Sequence, residues 1–329
     1  MLTPLKAGDV LRNRYQIRRI IGQGGMGSIY LADDLRLEGR LCALKEVEHD
    51  RTLSPDLLKE ARDQFFREAT ILARLDHPNL PKVSDYFSVG GRDYLVMDFV
   101  PGKDLRMLML EAKSKGTFLS ELEVLGWANQ LADALTYLHS QDPPIVHRDI
   151  KPSNLKFTPG GVLKLVDFGL AKILVGDEMT VTIVQGKGTA VYTPLEQYGG
   201  DIGHTDTRSD IYSFGATLYH LLTNTAPIEA HERFLHPDLL IPPRQINPDL
   251  SVRTERAILW AMSLHPEERP TDIETFRKAL LGDYSPIAPQ KIHLPSPTFF
   301  DLISSPVEMT LAILSVGLIL ISFVLTFIH

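Results

Sequence analysis

Short apolar runs dominate the first hundred residues of the chain and predict β-strands. Four runs have the length of a strand, and they cover residues 15–21, 29–31, 41–44 and 94–97. One amphipathic helix interrupts them, because Phe65, Ala69 and Leu72 recur at spacings of four and three and form a single apolar face. We expect this helix to end before His77, since Pro78 restricts the backbone of the residue that precedes it.

From about residue 104 the apolar positions follow a helical period instead. Ser120 is the expected N-cap of a helix whose apolar face comprises Val124, Ala128, Leu131, Leu135 and Leu138. Three more helices are predicted, over about 209–222, 253–264 and 271–281. The pattern therefore predicts an α+β, bilobal fold, with a strand-rich N-lobe over 13–98 and a helical C-lobe over 99–282.

The chain changes character after residue 282. Residues 283–307 contain five prolines and little periodicity, which indicates a linker. Residues 310–328 carry no charge, and nineteen residues in a helix reach roughly 28 Å, close to the thickness of a bilayer core. We predict a single membrane-spanning helix over 308–328 that anchors the protein by its tail. A buried core helix is the alternative for this run, and truncation of a longer receptor is the alternative for the chain end.

Composition narrows the functional class. The net charge of −7 gives no overall basic field, so we expect no nucleic-acid partner. The single cysteine, Cys42, excludes an intrachain disulfide and fits a reducing compartment. It lies in an apolar run, where packing is its expected role. Residues 1–9 contain no apolar core of signal-peptide length.

The segment HRDIKPSN, residues 147–154, contains the most informative chemistry of the chain. Asp149 and Asn154 lie five residues apart, and Asp167 follows Asp149 by eighteen. Phosphoryl transfer needs a carboxylate that orients the attacking hydroxyl and oxygen ligands that hold Mg²⁺ on ATP. These three residues supply that combination.

Two features nearer the N-terminus could hold the nucleotide. The segment GQGGMG, residues 22–27, fits GxGxxG, which alone also occurs in dinucleotide-binding folds or as a simple flexible turn. Residues 28–31 continue as a strand, so the glycines are expected to join two strands of a hairpin and let backbone N–H groups approach phosphates. Lys45 ends an apolar strand and needs anionic neighbours there. Glu68, on the predicted helix, is its expected partner.

Taken in order over about residues 13–282, these motifs resemble the bacterial eukaryotic-type (Hanks-type) Ser/Thr protein kinases. The resemblance implies that Asp149 accepts or orients the proton of the acceptor hydroxyl and that Lys151 neutralises charge on the transferring phosphoryl group. It also implies that Thr189 contacts both Asp149 and Lys151. It implies Asn154 and Asp167 as ligands of Mg²⁺. The implied ATP-binding residues are Ile21, Gly22, Gly24, Gly25, Gly27, Ile29, Ala43, Lys45, Glu68, Asp98, Val100 and Leu155.

The same resemblance implies a supporting framework. Asp210 would support the catalytic loop from a helix, and Arg269 would pair with Glu196. His147 and Phe168 would belong to the packed spine between the lobes. The chain departs from the family where Ala/Ser-Pro-Glu is expected, because residues 194–196 read Pro-Leu-Glu. We expect that departure to alter the shape of the groove that receives the protein substrate.

Regulation and partners are also implied by the resemblance. Thr180 and Thr182 match threonines that related kinases autophosphorylate, and Arg148 would bind the resulting phosphate; ordinary loop threonines are the alternative. The expected partners are protein substrates, the membrane and a second copy that permits phosphorylation in trans. Because ATP is cytosolic, the kinase domain is expected to face the cytoplasm. A pseudokinase scaffold and a small-molecule phosphotransferase are the alternatives to an active protein kinase, and the complete motif set disfavours both.

Overall fold

The computed structural model describes residues 3–24, 27–47, 54–167, 172–173, 190–198 and 206–282. The chain divides into one unit over Met1–Asp283 and another over Tyr284–His329. The predictions that fall outside the described residues concern Gly25, Phe168, Thr180, Thr182, Thr189, the linker 283–307 and the apolar run 308–328. Within the described residues, no helix has the length and apolarity needed to cross a membrane.

The N-lobe is built on one antiparallel six-stranded sheet. Its strands are β1 Val10–Leu11, β2 Tyr15–Gly24, β3 Gly27–Asp34, β4 Leu41–Val47, β5 Val83–Val89 and β6 Arg92–Asp98. Their order across the sheet is β1-β2-β3-β4-β6-β5. The four predicted runs are strands, whereas β5 was not predicted. It is an edge strand with few buried side chains, so its sequence has no apolar run.

The predicted N-lobe helix is α1, Pro55–Arg74. Ser54 Oγ accepts a hydrogen bond from the Leu57 N–H at 3.3 Å, and Pro55 occupies the first turn, where no N–H is needed. Phe65, Ala69 and Leu72 are its buried residues. The predicted apolar face and the end before His77 are therefore confirmed.

Strand β4 separates two hydrophobic cores, because successive side chains of a strand point to opposite faces. Cys42 and Leu44 pack in a small core confined to the N-lobe, with Tyr15 among its members. Ala43 belongs instead to a large core that contains Phe65 of α1 and continues through the C-lobe. Cys42 is a buried packing residue, as predicted.

The C-lobe is mainly helical. Its helices are α2 Leu105–Ser114, α3 Glu121–His139, α4 Arg208–Thr223, α5 Ala230–Leu235, α6 Pro243–Ile246, α7 Val252–Ala261 and α8 Ile273–Leu281. Its short strands are β7 Lys103–Asp104, β8 Ile145–Val146, β9 Leu155–Phe157, β10 Leu163–Leu165 and β11 Lys172–Ile173. Nearly all of α4 is buried, so this helix is the centre of the lobe.

The predicted C-lobe helices exist, but two boundaries differ. Helix α7 ends at Ala261 rather than 264, because the carbonyls of Ser263 and Leu264 turn away to accept hydrogen bonds from Arg269 at 2.8 and 2.9 Å. Helix α8 begins at Ile273 rather than 271, because the Asp272 carboxylate caps it by accepting the Thr275 N–H at 2.7 Å. The bilobal architecture itself is confirmed.

Candidate active site

The catalytic loop, residues 147–154, connects β8 to β9 and is anchored from behind by Asp210 of α4. The Asp210 carboxylate accepts the backbone N–H groups of His147 and Arg148, each at 2.8 Å. Its Oδ2 also lies 2.9 Å from His139 Nε2 at the end of α3. Asp210 is fully buried. Burial raises its pKa, but the hydrogen bond from His139, the charges of His139 and His147 and the Arg148 N–H together lower it below its usual value. The predicted supporting role of Asp210 fits this geometry.

A second hydrogen bond from α4 fixes the catalytic loop at Ile150. Thr217 Oγ1 donates to the Ile150 carbonyl at 3.2 Å. Arg148 has a positive φ of 67°, a conformation that an L-residue adopts only when its surroundings impose it. Buried hydrogen bonds on both sides of Arg148 supply that constraint.

Asp149 lies in a small polar cluster made by its own loop. Lys151 Nζ donates to both carboxylate oxygens at 2.9 and 2.8 Å. Asn154 Nδ2 donates to the Asp149 carbonyl and to Oδ2, both at 2.8 Å. The sequence spacing thus brings Asp149, Lys151 and Asn154 into direct contact, as the motif predicted.

Asp167 is held beside Asn154 by the backbone. The Val166 N–H donates to the Asn154 carbonyl at 2.8 Å, and Asp167 itself has a positive φ of 64°. Burial raises the pKa of its carboxyl, but the Lys45 ammonium outweighs burial and keeps that pKa below its usual range. The two predicted metal ligands are therefore neighbours, and Asp167 is an anion.

Lys45 crosses from the N-lobe to meet this anion. Its Nζ forms an ion pair with Asp167 Oδ1, and β4 places it opposite Ile29 of β3 and Leu95 of β6. Glu68 accepts a hydrogen bond from Gln64 Nε2 at 3.0 Å. The pairing of Lys45 with Glu68 stays a prediction.

Arg148 interacts electrostatically with Glu68. Burial lowers the pKa of Arg148 to about 10, while the charges of Asp210 and Glu68 act in the opposite direction. The helix carboxylate is thus near enough to the catalytic loop to interact electrostatically with its arginine.

The glycine segment joins β2 to β3 as a hairpin, with Gly24 opposite Gly27 and Gly22 opposite Ile29. Gly27 has a φ of 135°, and a Cβ there would lie 2.3 Å from the Glu46 carbonyl oxygen of β4. Only glycine fits this position, because both the conformation and the close backbone approach exclude a side chain. The predicted hairpin is confirmed.

Apolar side chains of the two lobes pack together near this hairpin. Ala43 is opposite Met97 in the sheet, and both belong to one core with Leu155 of the C-lobe. Ile21 and Ile29 pack against the same core while staying partly exposed. The structure therefore brings together five apolar side chains, four of which the sequence assigned to nucleotide binding.

Asp98 and Val100 lie where β6 leaves the N-lobe. The Asp98 carboxylate accepts from Arg40 Nη2 at 3.2 Å and from the Lys82 N–H at 3.3 Å. Val100 is buried. This segment, whose Asp98 and Val100 are among the implied ATP-binding residues, is thus tied to the sheet by hydrogen bonds to the Asp98 carboxylate.

Three polar residues that support the site were missed by sequence reasoning, the buried Asn79 and the partly exposed Gln130 and His139. Asn79 Nδ2 donates to the Leu163 carbonyl at 2.7 Å and to Gln130 Oε1 at 3.1 Å. The Asn79 carbonyl accepts the Leu165 N–H at 2.8 Å, two residues before Asp167. With His139, these residues position the loops that carry Asp149 and Asp167. The Pro78-Asn79 turn was a visible signal for Asn79, whereas nothing in the sequence distinguished Gln130 or His139.

The ion pair predicted between Glu196 and Arg269 is present. Arg269 Nη1 and Nη2 donate to the two Glu196 oxygens at 2.7 and 2.9 Å, a bidentate arrangement. Ser209 Oγ donates to the same carboxylate at 2.7 Å. The Pro194 and Leu195 that depart from the family pattern are accommodated, since Pro194 precedes a single 3-10 turn over Leu195–Gln197.

The turn over Ala190–Tyr192 lies beside the catalytic loop. Ser213 Oγ donates to the Tyr192 carbonyl at 2.8 Å, and Thr217, one helical turn further along α4, bonds Ile150. The Tyr192 hydroxyl lies 2.6 Å from His220 Nδ1. The 190–192 turn is therefore held by α4 one helical turn from the contact that α4 makes with Ile150, the residue after Asp149.

Comparison with known proteins agrees with this geometry. The family model described as protein kinase domain matches residues 15–284. A probable serine/threonine-protein kinase of Clostridium acetobutylicum is 35% identical over 268 residues, covering 80% of this chain and 38% of that protein. The tyrosine-protein kinase MasK of Myxococcus xanthus is 32% identical over 281 residues, covering 81% and 42%.

A solved structure gives the same result. The kinase domain of PknI from Mycobacterium tuberculosis superposes with a TM-score of 0.64 at 27% identity, over 84% of this chain and 98% of that domain. The chain spans less than half the length of the two curated relatives above. The chain belongs to the protein kinase family, and its sequence and fold are those of the bacterial Hanks-type serine/threonine branch.

Proposed function

We propose that this protein transfers the γ-phosphate of ATP to serine and threonine hydroxyls of proteins. The observation that carries the proposal is the fixed position of the Asp149 carboxylate. It is held by Lys151 and Asn154 beside an Asp167 that contacts Lys45. The site therefore combines a base (Asp149), two cations (Lys45 and Lys151) and two oxygen ligands (Asn154 and Asp167). Phosphoryl transfer requires this combination of groups.

The residues present fit ATP with Mg²⁺. The hairpin approaches the β4 backbone so closely at Gly27 that no Cβ fits, and its glycines would let backbone N–H groups approach the phosphates. Ala43 and Leu155, which belong to one apolar cluster, would contact the base. Asn154 and Asp167 would hold the ion, whose positive charge stabilises the phosphates during transfer. Among the described residues, no group of three or more His, Cys, Asp or Glu forms a metal site by itself.

The protein side chains have distinct roles in this proposal. Asp149 accepts or orients the proton of the acceptor hydroxyl, since its carboxylate is paired with Lys151 and partly accessible. Lys151 neutralises negative charge that develops on the acceptor side. Lys45 holds the nucleotide phosphates from the N-lobe side. Thr189, from outside the described residues, would contact Asp149 and Lys151.

The Asp149→Asn variant tests the mechanism. We expect phosphoryl transfer to fall by about 10²–10⁴-fold, the usual contribution of a general base, with ATP affinity largely retained. Asp238→Asn, an exposed carboxylate of the C-lobe, is the matched control and should transfer at the parent rate. Equal turnover of Asp149→Asn and the parent protein would refute the role of Asp149. If the protein is a pseudokinase, neither the parent protein nor the variant will transfer phosphate.

The choice of Ser/Thr over Tyr rests on the loop sequence DIKPSN, which resembles the Ser/Thr branch. One relative of comparable identity is named a tyrosine-protein kinase, so the assignment needs a direct test. Phosphoamino-acid analysis after incubation with labelled ATP and a mixed protein substrate should show phosphoserine and phosphothreonine. A product that is mainly phosphotyrosine would contradict the assignment.

We further propose autophosphorylation at Thr180 or Thr182, with the phosphate bound by Arg148. The largely buried guanidinium of Arg148, close to Asp149 in the loop, supports this, because a phosphate there would act on the catalytic loop directly. Mass spectrometry of protein incubated with Mg-ATP should find phosphate on one of these threonines. Phosphate found only elsewhere would contradict the proposal.

Membrane attachment through 308–328 remains part of the proposal. It is supported by nineteen uncharged residues and predicts that the kinase domain faces the cytoplasm. Confinement to a membrane raises local concentration and would favour phosphorylation in trans by a second copy. Fractionation of cells should recover the full chain with membranes and a 308–329 deletion without them. Equal autophosphorylation of the two forms in cells would remove the argument for trans phosphorylation at the membrane.

A further inference from the structure

The face that would receive a protein substrate lies between α2 and α5. Ser213 and Thr217 of α4 hold the Tyr192 carbonyl and the Ile150 carbonyl one helical turn apart, so the 190–198 segment borders the catalytic loop. Tyr192, at one end of that segment, lies within electrostatic reach of Arg106 of α2, and Tyr198, at the other end, lies against His231 of α5. A polypeptide that presents a hydroxyl to Asp149 therefore passes between these two helices.

The α2 side of this face is basic because of Arg106. Helix α2 packs against the 152–154 turn of the catalytic loop, and Arg106 is exposed in its first turn. Among the described residues its guanidinium has no ion pair or side-chain hydrogen bond. Its charge reaches the 190–192 turn and its neighbour His220: it acts to lower the pKa of Tyr192 after the larger effect of burial, and that of His220 after the larger effects of burial and of Lys113.

The other charges of α2 are already engaged. The Asp104 carboxylate caps the helix by accepting the Met107 N–H at 2.8 Å, and it faces Lys156 electrostatically. Lys113 Nζ donates to the Asn224 carbonyl at 3.0 Å, and Lys103 pairs with Glu111. Arg106 is consequently the charge that α2 offers to a passing polypeptide.

The α5 side of the face is acidic. Tyr198, at the far end of the segment, lies against His231 of α5 with ring centroids 6.1 Å apart. Glu229 and Glu232 begin this helix, and both raise the pKa of Tyr198 after the larger effect of burial. Arg233, the cation in the same helix, points inward and donates to the Met262 carbonyl at 3.0 Å.

We propose that this face selects protein segments by charge, with an acidic side chain on the α2 side of the acceptor hydroxyl, bound by Arg106, and a basic side chain on the α5 side, near Glu229 and Glu232. The inference rests on the proposed kinase function and adds a substrate class to it. Exposed charge pairs of this kind contribute modestly to affinity but effectively to discrimination, because a reversed charge is repelled.

The test uses the full chain and two serine peptides of identical composition. One carries glutamates before the serine and arginines after it, and the other carries them in reverse. We expect a difference of about tenfold in kcat/KM between them, and this difference should shrink as salt rises. The preferred peptide then shows whether the residues before the serine lie on the α2 side or on the α5 side of the face.

Variants of Arg106 identify the residue responsible. Arg106→Gln should reduce the discrimination and Arg106→Glu should abolish or reverse it. Lys115→Glu makes the same charge change about 13 Å further along the same helix and should leave the discrimination intact. Equal rates on the two peptides, or discrimination that survives Arg106→Glu, would overturn the inference.

Labelling of the protein itself separates this inference from the kinase function. Transfer of labelled phosphate to the chain or to casein, with no peptide discrimination, would leave the kinase proposal intact and reject the charge selection. Transfer to no acceptor at all would reject both.

Discussion

Lys45 and Asp149 lie on opposite sides of the same site, and the fold positions them by different means. Lys45 is placed by strand register, between Ile29 and Leu95 in a sheet whose alternation decides which side each residue faces. Asp149 belongs to an irregular loop, whose position depends on buried hydrogen bonds from Asp210 and Thr217 of α4.

Because the two halves of the site depend on different interactions, we expect a substitution in one half to leave the other half folded. The sheet side depends on many small contacts and on one close backbone approach. The loop side depends on a few buried polar groups, and each of these is costly to leave without a partner. The predictions below test that contrast, from the largest expected effect to the smallest.

Removing the Asp210 carboxylate should have the largest effect. Asp210→Ala leaves the N–H groups of His147 and Arg148 and the ring of His139 without their shared acceptor, so we expect a loss of about 4 kcal/mol in the free energy of unfolding. Turnover should fall with it. Chemical denaturation and a kinase assay measure the two effects.

Asp206→Ala is the control for that experiment. Asp206 precedes α4 by two residues, and its pair with Arg208 is about one third exposed on each side. We expect a loss of about 1 kcal/mol or less. A loss as small for Asp210→Ala would show that the loop does not depend on its buried anchor.

The buried ion pair of the C-lobe should come next. Arg269→Met leaves the Glu196 carboxylate buried without its bidentate partner and should cost about 3 kcal/mol. Arg277→Met removes an arginine of the same lobe from an exposed pair with Asp133 and should cost about 0.5 kcal/mol. Thermal and denaturant unfolding compare the two, and equal losses would contradict the importance assigned to burial.

The glycine hairpin should show a smaller loss of stability and a specific loss of nucleotide binding. Gly27→Ala places a Cβ against the Glu46 carbonyl and should cost about 2 kcal/mol, with a raised KM for ATP. Gly39→Ala has a positive φ but open space around it, so it should cost less and leave that KM unchanged. An unchanged KM for ATP in Gly27→Ala would show that the hairpin does not contribute to ATP binding.

The smallest effect concerns Cys42 as a reporter of N-lobe opening. Burial raises the pKa of this thiol to about 12, so at pH 8 it should not react with a thiol reagent until the small core opens. Gly27→Ala should speed labelling by about tenfold, whereas Asp210→Ala should speed it less. Equal acceleration by both variants would show that the lobes open together.

Most of the N-lobe could be predicted from the sequence. The strands of the hairpin, the strand over 41–44 and the face of α1 follow from local apolar runs and periods, which depend on near neighbours in the chain. Strand β5 could not be predicted, because an edge strand with few buried positions has no such period. The helix ends near 261 and 273 also depended on distant or capping groups, namely Arg269 and the Asp272 carboxylate.

The candidate site was predicted unevenly for the same reason. Asp149, Lys151 and Asn154 stand within six residues, so one motif identified them together. Asn79, Gln130 and His139 escaped, because their polar side chains become important only when folding removes them from water. Their partners lie far along the chain, where no local pattern records them: the Leu163 backbone for Asn79 and Gln130, and the Asp210 carboxylate for His139.

The sequence by itself determined the order of the chemical groups, the hairpin that carries the glycines and the alternation that separates Lys45 from Cys42. These depend on spacing and on the period of a strand or helix. Only the tertiary structure decided that Asp210 holds the catalytic loop, that Lys45 meets Asp167, and that Arg106 lies within electrostatic reach of Tyr192 while Glu232 lies within reach of Tyr198. Those contacts join residues brought together by burial of the large core, and their strength depends on exclusion of water that only the folded chain provides.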